Sequence, residues 1–313
     1  MRRLKERLRA HVSEHTWSRW RYAKRGVRER VAERVSAVLA APVRVLPDRL
    51  VLGVRERLLL SRPLDFDSRL RIRVGTPIEW EMRRHPAAKE PETVAWLEET
   101  LQRDDVLYDV GANIGAYSLI AAAIRPDARV VAIEPGYESF ASLCANIARN
   151  QLGHRITPLA VALADIDGPL SFGLSAVGAG AASHPGVGAG GGPGEVSVTG
   201  LRLDSMRSVL GLPAPTHLKI DVDGSETRVL AGAQSTLKEA SLRTILIEVS
   251  EDESDIEGVA ALLEQAGFVL RDDVRHAGSV THNRIYFRAS ASTSEPNQSG
   301  AAVRVSTAAA APG

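Results

Sequence analysis

The strongest constraint on how this chain can fold is a rhythm of short apolar runs separated by helical patterns. The runs are VLYDV (106–110), RVVAIE (129–134), RITPLAVA (155–162), THLKID (216–221), TILIEV (244–249), GFVLRD (267–272) and RIYFR (284–288). Helical periodicity fills 115–125, 137–150, 225–240 and 255–266. Strand, helix, strand in that order demands parallel pairing with right-handed crossovers. The last two runs are too close for a crossover helix, so they are expected to pair antiparallel at an edge. The fold expected is a doubly wound α/β sheet of six parallel strands and one antiparallel edge strand.

Around this core the chain divides by composition. KEPETVAWLEETL (89–101) is a helix by the spacing of Val94, Leu97 and Leu101, and it opens the main domain, 85–289. Residues 1–84 read as a basic N-terminal extension: positions 1–34 carry 12 Lys/Arg against 4 Asp/Glu, with apolar stripes at Leu4, Leu8, Val12 and at Val27, Val31, Val35. Such a helical arm either lies on an anionic membrane surface or protein partner, or packs as a solvated pair beside the domain. Nucleic-acid binding is not expected, because no fold-level motif accompanies the charge. Residues 50–82 are irregular apart from a short strand near Leu70 to Val74. Between the third and fourth strands lies an insertion, 173–194, in which 9 of 22 residues are glycine. It cannot bury enough surface to offset its ordering entropy, so it is expected to be a mobile loop, either a lid or an unconstrained insertion, between hairpin strands LSF and EVSVT. The tail, 290–313, is expected to be disordered. A single cysteine excludes an internal disulfide, and no run reaches the ~18 apolar residues of a membrane span. A cytoplasmic protein, with the basic arm as its one route to membrane association, is the expectation.

The first strand runs into a glycine turn, DVGANIG (109–115), where a helix begins. In a doubly wound sheet this is the usual entrance to a nucleotide or nucleoside site. Glu134 follows Gly115 by 19 residues, much as in a dinucleotide fingerprint. The middle glycine that admits a pyrophosphate is absent, and Ala112, Asn113 and Ile114 occupy that approach. S-adenosylmethionine has an amino acid where a dinucleotide has phosphates, and it suits the turn better than NAD. Asp109 and Asn113 then face its methionyl ammonium, and Glu134 accepts hydrogen bonds from the ribose hydroxyls. Gly111 and Gly115 shape the turn, and Asp165 is positioned for the adenine amine. Each acid also has a plainer reading as a helix cap or turn former.

The four blocks KEPETVAWLEETLQRDDVLYDVGANIGAYSL, VVAIEPGYESFASLCANIARN, THLKIDVDGSETRVLAGA and TILIEVS, in that order, resemble the FkbM family of S-adenosylmethionine-dependent methyltransferases. The resemblance covers about residues 85–288 and implies a class I methyltransferase fold of the Rossmann-like kind. It also implies O-methylation of a hydroxyl on a sugar, glycan, polyketide or other secondary metabolite, so that the partner is a small-molecule or glycan acceptor. A membrane-surface or complex-associated protein that keeps the fold without catalysis is the alternative.

Methyl transfer is an in-line displacement in which the protein mainly aligns the acceptor oxygen, and a carboxylate or histidine beside that oxygen helps remove its proton. Asp221, ending the fourth strand, is the first candidate, and Asp223 the second, with a helix-cap role as its alternative. Lys219 shares the face of Asp221 and is expected to snorkel or to pair with an acid rather than act in chemistry. Asp221, Asp223 and Glu226 could also hold Mg²⁺, but no further ligand is evident, so no metal is expected. His282 and Asn283 are expected in a loop before the last strand, near the acceptor. His217 and Cys144 read as structural.

Overall fold

The computed structural model describes residues 45–57, 60–74, 85–173, 195–222, 224–276, 279–289 and 304–308, with residues 38 and 42. The basic stretch 1–34, residues 174–194 of the glycine-rich insertion, Asp223 and most of the tail lie outside the described residues. The chain forms two units, 1–59 and 60–313. In the first, α1 (Asp48–Arg57) starts with Asp48 in its first turn and exposes Leu50 and Leu52. Among the described residues no helix is long and apolar enough to cross a membrane.

The second unit begins with a hairpin, β1 (Leu60–Pro63) and β2 (Arg71–Val74). Then come α2 (Pro86–Lys89), α3 (Pro91–Thr100), β3 (Val106–Val110), α4 (Ala116–Ile124), β4 (Arg129–Ile133), α5 (Tyr137–Arg149) and β5 (Ile156–Leu159). A small three-stranded sheet follows, of β6 (Ala162–Leu163), β7 (Gly168–Gly173) and β8 (Glu195–Leu201), and then α6 (Leu203–Leu210). The chain continues through β9 (His217–Ile220), α7 (Glu226–Ala231), α8 (Gln234–Lys238), β10 (Thr244–Ser250), α9 (Glu253–Gln265), β11 (Phe268–His276), β12 (Thr281–Arg288) and β13 (Arg304–Ala308).

The main sheet has the order β13-β11-β12-β10-β9-β3-β4-β5. Pairing is parallel from β5 through β10, while β12 runs antiparallel to both β10 and β11. Leaving β13 aside, six strands point one way and one the other, as the sequence predicts. The antiparallel strand is not at the edge: β12 inserts between β10 and β11, because β11 crosses over through α9 and leaves a gap that the returning hairpin fills. The sheet is mixed, mostly parallel and covered by helices on both faces, the Rossmann-like class I methyltransferase arrangement.

Alternation along the strands sorts the core into two layers. Leu107, Val130, Ala132, Leu246 and Ile285 pack against α3, α4, α5 and the β1–β2 hairpin. Tyr108, Val131, Leu218, Ile245 and Ile247 pack against α6 to α9. The hairpin belongs to this unit rather than to a separate extension. Ile72 is buried, and the N–H groups of Arg71 and Arg73 donate to Asn150 and Asn146 of α5 at 2.9 and 2.7 Å. The predicted helix over 225–240 is two short helices broken at Gly232, where a Cβ would come within 2.0 Å of the Ala164 carbonyl oxygen. Within the tail, residues 304–308 form β13, which pairs in parallel with β11 at the edge of the sheet.

Candidate functional site

Strands β3, β4 and β5 run outward in one direction and β9 and β10 in the other, so the order reverses between β3 and β9. Ligands in doubly wound sheets bind at the carboxyl ends of the strands at such a point. A cleft lies there, lined by Pro86, Lys89, the segment Gly111–Ile114, Ala116, Tyr117, Lys219 and Asp221.

The glycine turn is bent by departures from ordinary backbone at alternate residues: Gly111, Asn113 and Gly115 all have positive φ, at 78°, 50° and 87°. Gly111 has a second reason to be glycine, because a Cβ there would sit 1.7 Å from the Asp221 carbonyl oxygen. The turn is tied to β4 by its own amides. Gly111 and Ala112 both donate to the Ile133 carbonyl, and the Asn113 N–H donates to Glu134 Oε2 at 2.9 Å. Glu134 Oε1 accepts the Gly136 N–H at 2.7 Å, and the side chain is buried. Glu134 thus fixes the turn from behind. Asn113 Oδ1 is buried and, among the described residues, has no hydrogen-bond partner.

Beneath the turn, Asp109 is fully buried. Its Oδ2 accepts the Ser118 hydroxyl at 2.6 Å, and its Oδ1 lies 3.8 Å from Lys219 Nζ without a hydrogen bond. Burial raises the Asp109 pKa against the pull of Lys219 and Ser118. Lys219 is itself buried, donates to Asp221 Oδ2 at 3.0 Å and sits 5.2 Å above the centre of the Tyr117 ring. Burial alone would lower its pKa, but Asp221, Asp109 and Glu90 raise it, so it remains an ammonium. The pairing of Lys219 with an acid on its own strand is the one its spacing predicts.

Two carboxylates beside the cleft are missing from the sequence reading. Glu90, just ahead of α3, is buried; burial would raise its pKa, yet Lys89 and Lys219 hold it below the ordinary value. Glu248 on β10 accepts the Thr281 hydroxyl at 3.0 Å, and burial, Asp221 and Glu90 push it up to about 8. An acid interrupting the apolar run TILIEVS was the available signal for Glu248, since a buried strand rarely carries one without a use.

Other candidates lie elsewhere. Asp165 follows β6 in the small sheet rather than ending the third main strand, and its exposed carboxylate is held by Arg228 at 2.7 Å. His282 and Asn283 are not in a loop: both are in β12, whose ladder with β10 extends to Thr281. They point to opposite faces. Asn283 Nδ2 donates to Glu92 at 2.6 Å, whereas His282 pairs across from Val249, on the face away from Lys219, with Nδ1 2.5 Å from Asp273. His217 is structural, buried between Asp105 at 3.0 Å and Thr244 at 2.7 Å. Cys144 is half-buried, and burial raises its thiol pKa. Among the described residues no group of three or more His, Cys, Asp or Glu is arranged to hold a metal ion.

The arrangement fits S-adenosylmethionine. An orphaned amide oxygen and a buried carboxylate stand where an ammonium can be met, the carboxylate of Glu134 stands at the end of β4 beside the turn, and residues other than glycine at 112–114 disfavour the close approach of a pyrophosphate.

Comparison with known proteins gives the same answer. The methyltransferase FkbM domain matches residues 109–270. The hexuronic acid methyltransferase AglP of Haloferax volcanii is 29% identical over 167 residues, covering 53% of this chain and 66% of its own length. The 31-O-demethyl-FK506 methyltransferase FkbM of Streptomyces tacrolimicus is 31% identical over 214 residues, covering 58% of this chain and 80% of its own length. A crystal structure of an FkbM methyltransferase from Methylobacillus flagellatus aligns with a TM-score of 0.44 and 18% identity over 60% of this chain and 45% of its own. With the domain match spanning half of its length, this chain belongs to the FkbM family of S-adenosylmethionine-dependent methyltransferases.

Proposed function

We propose that the protein transfers a methyl group from S-adenosylmethionine to a hydroxyl of a sugar, glycan or secondary metabolite. One observation carries this reading: the glycine turn and the Lys219–Asp221 pair line a single cleft at the reversal of strand order. The donor supplies an activated methyl on a positively charged sulfur. Asp109, Gly111, Asn113, Gly115 and Glu134 are the residues assigned to hold it. Asp165 is a weaker member of that set, being already committed to Arg228. On the acceptor side Lys219 immobilises Asp221, so that a fixed carboxylate can accept a hydrogen bond from the incoming hydroxyl and orient it. Asp223 remains a second candidate there by its sequence position. His282 is less suited to a catalytic role, because its ring lies on the opposite face of the sheet.

One relative is named for a hexuronic acid and the other for 31-O-demethyl-FK506, so a glycan and a secondary metabolite are both reasonable acceptors. Titration calorimetry with S-adenosylhomocysteine tests the donor site, and micromolar binding is expected. Folded protein that binds none at millimolar ligand would sink the enzyme reading. Transfer of labelled methyl to a panel of glycosides, uronates and macrolide alcohols, read by mass spectrometry, then identifies the acceptor class.

A further inference from the structure

Strand register places a second row of polar groups one pleat beyond Lys219. Lys219 pairs with Leu246, so two residues further along both strands Asp221 comes beside Glu248, and Glu248 pairs with Asn283 on β12. Residues two apart share a face, so Asp109, Lys219, Glu248 and Asn283 all lie on the side that carries the cleft. From the start of α3, Glu92 reaches the same row. Its Oε1 accepts from Asn283 at 2.6 Å and lies 2.7 Å from His276 Nε2, while its buried Oε2 has no hydrogen-bond partner among the described residues. A buried carboxylate oxygen without a donor is what a hydroxyl-bearing ligand satisfies.

Within this row Asp221 lines the cleft and Glu248 stands beside it on β10, and the two differ in what holds them. Asp221 gives Oδ2 to the buried Lys219 ammonium at 3.0 Å, which holds its carboxylate in place as a hydrogen-bond acceptor. Glu248 has only the neutral Thr281 hydroxyl on Oε1, and no hydrogen bond to Oε2 is found among the described residues. The charged groups acting on it are Asp221 from the end of β9 and Glu90 and Lys89 from the turn between α2 and α3; Thr281 and Asn283 face it from β12. Burial and the two acids raise its affinity for a proton to about 8, with Lys89 opposing. A base works best when its pKa lies near the working pH.

We propose that Glu248 is the carboxylate that takes the acceptor's hydroxyl proton, while Asp221 orients that hydroxyl; the assignment rests on the methyltransferase reading above. The acceptor O–H bond breaks, its electron pair stays on the oxygen that forms the new C–O bond, and the proton ends on Glu248. The electron pair of the cleaved methyl–sulfur bond remains on sulfur.

The test has two arms. In protein labelled at the glutamate side-chain carboxyl carbons and free of ligand, NMR titration should show one carboxyl titrating near 8. That resonance should be absent in Glu248→Gln and should titrate lower in Asp221→Asn. In single-turnover transfer with the acceptor found by the panel, Glu248→Gln should lose about 10²–10⁴-fold in rate and the rise of rate with pH. Glu248→Asp should keep that rise, and S-adenosylhomocysteine affinity should be unchanged in both variants. The assignment is overturned if every glutamate titrates in the ordinary carboxylate range, or if Glu248→Gln turns over with the wild-type rate and pH profile. Failure of the wild-type protein to bind S-adenosylhomocysteine would instead overturn the methyltransferase reading, and the titration would still decide the state of Glu248.

Discussion

Gly111 shows how tightly single residues control the cleft. It combines a left-handed φ of 78° with a contact to the Asp221 carbonyl that leaves no room for a Cβ. Gly111→Ala should therefore destabilise the fold by about 2–4 kcal/mol, through strain and overpacking together, and should push the end of β9 away from the turn. Urea unfolding measures the first effect and loss of S-adenosylhomocysteine binding the second; a variant as stable and as tightly binding as wild type would refute the close approach. Glu134 acts differently, since it anchors the Asn113 and Gly136 amides from below. Glu134→Ala should raise the S-adenosylhomocysteine dissociation constant about ten- to a hundred-fold, from lost charge-assisted hydrogen bonds and a loosened turn, with the fold intact. Unchanged affinity in titration calorimetry would remove Glu134 from the donor site. Both residues were legible in the sequence because a strand-ending acid and a glycine turn are local signals. The Lys219–Asp221 pair was half legible, from its i, i+2 spacing. The approach of Glu90 was not, since nothing local brings the residue before α3 to the ends of β9 and β10.

At the scale of elements, the site is held open by contacts far below it. Trp96 of α3 donates to the Thr244 hydroxyl at 3.0 Å, His217 Nδ1 lies 2.7 Å from the same hydroxyl, and His217 Nε2 lies 3.0 Å from Asp105. One buried hydroxyl thus joins α3, β9, β10 and the approach to β3. Thr244→Val keeps the shape and leaves an indole N–H and an imidazole nitrogen without their partner, so it should cost about 1–3 kcal/mol in chemical unfolding while S-adenosylhomocysteine affinity stays near wild type. A neutral result would mean that the network carries no stability. The sequence located β3, β4, β9 and β10 to within a residue, because alternation and run length are read directly from the chain, but ran β5 three residues too long and stopped or started β11 and β12 three or four residues short. It put β12 at the edge, however, and His282 in a loop, because which strand fills the gap beside β10 depends on the crossover of α9, a long-range fact. The hairpin of β1 and β2 was obscured for a related reason: its partners, Asn146 and Asn150, stand about 75 positions later in the chain.

At the scale of the whole molecule, the placement of the cleft follows from strand order, whereas its electrostatics follow from packing charge into a sheet layer. Burial raises the pKa values of Asp109, Glu226 and Glu248, the last to about 8. The folded state therefore holds protons that the unfolded chain gives up near pH 4–4.5. Above that range, and for Glu248 up to about 8, the native protein binds more protons than the unfolded one, so these three groups make stability fall as pH rises. Opposing them, Asp105 and Asp204 are held below the ordinary carboxylate value by their hydrogen-bond partners despite burial, and their contribution is lost as pH falls through the acid range. His217 adds to that acid side: burial lowers its pKa, so its contribution is complete above about 6.5 and fades below it. The expected stability curve has its maximum on the acid side of neutrality, falls gently towards about pH 8 and drops steeply in acid. Glu248→Gln removes one of these contributions, so its melting temperature should exceed that of wild type increasingly from pH 5 to 8 and level off above the Glu248 pKa of about 8. Thermal melts of both proteins across that range measure the difference directly. A gap between them that does not widen with pH would mean that Glu248 is ionised at neutrality, with its charge solvated rather than confined against Asp221 and Glu90.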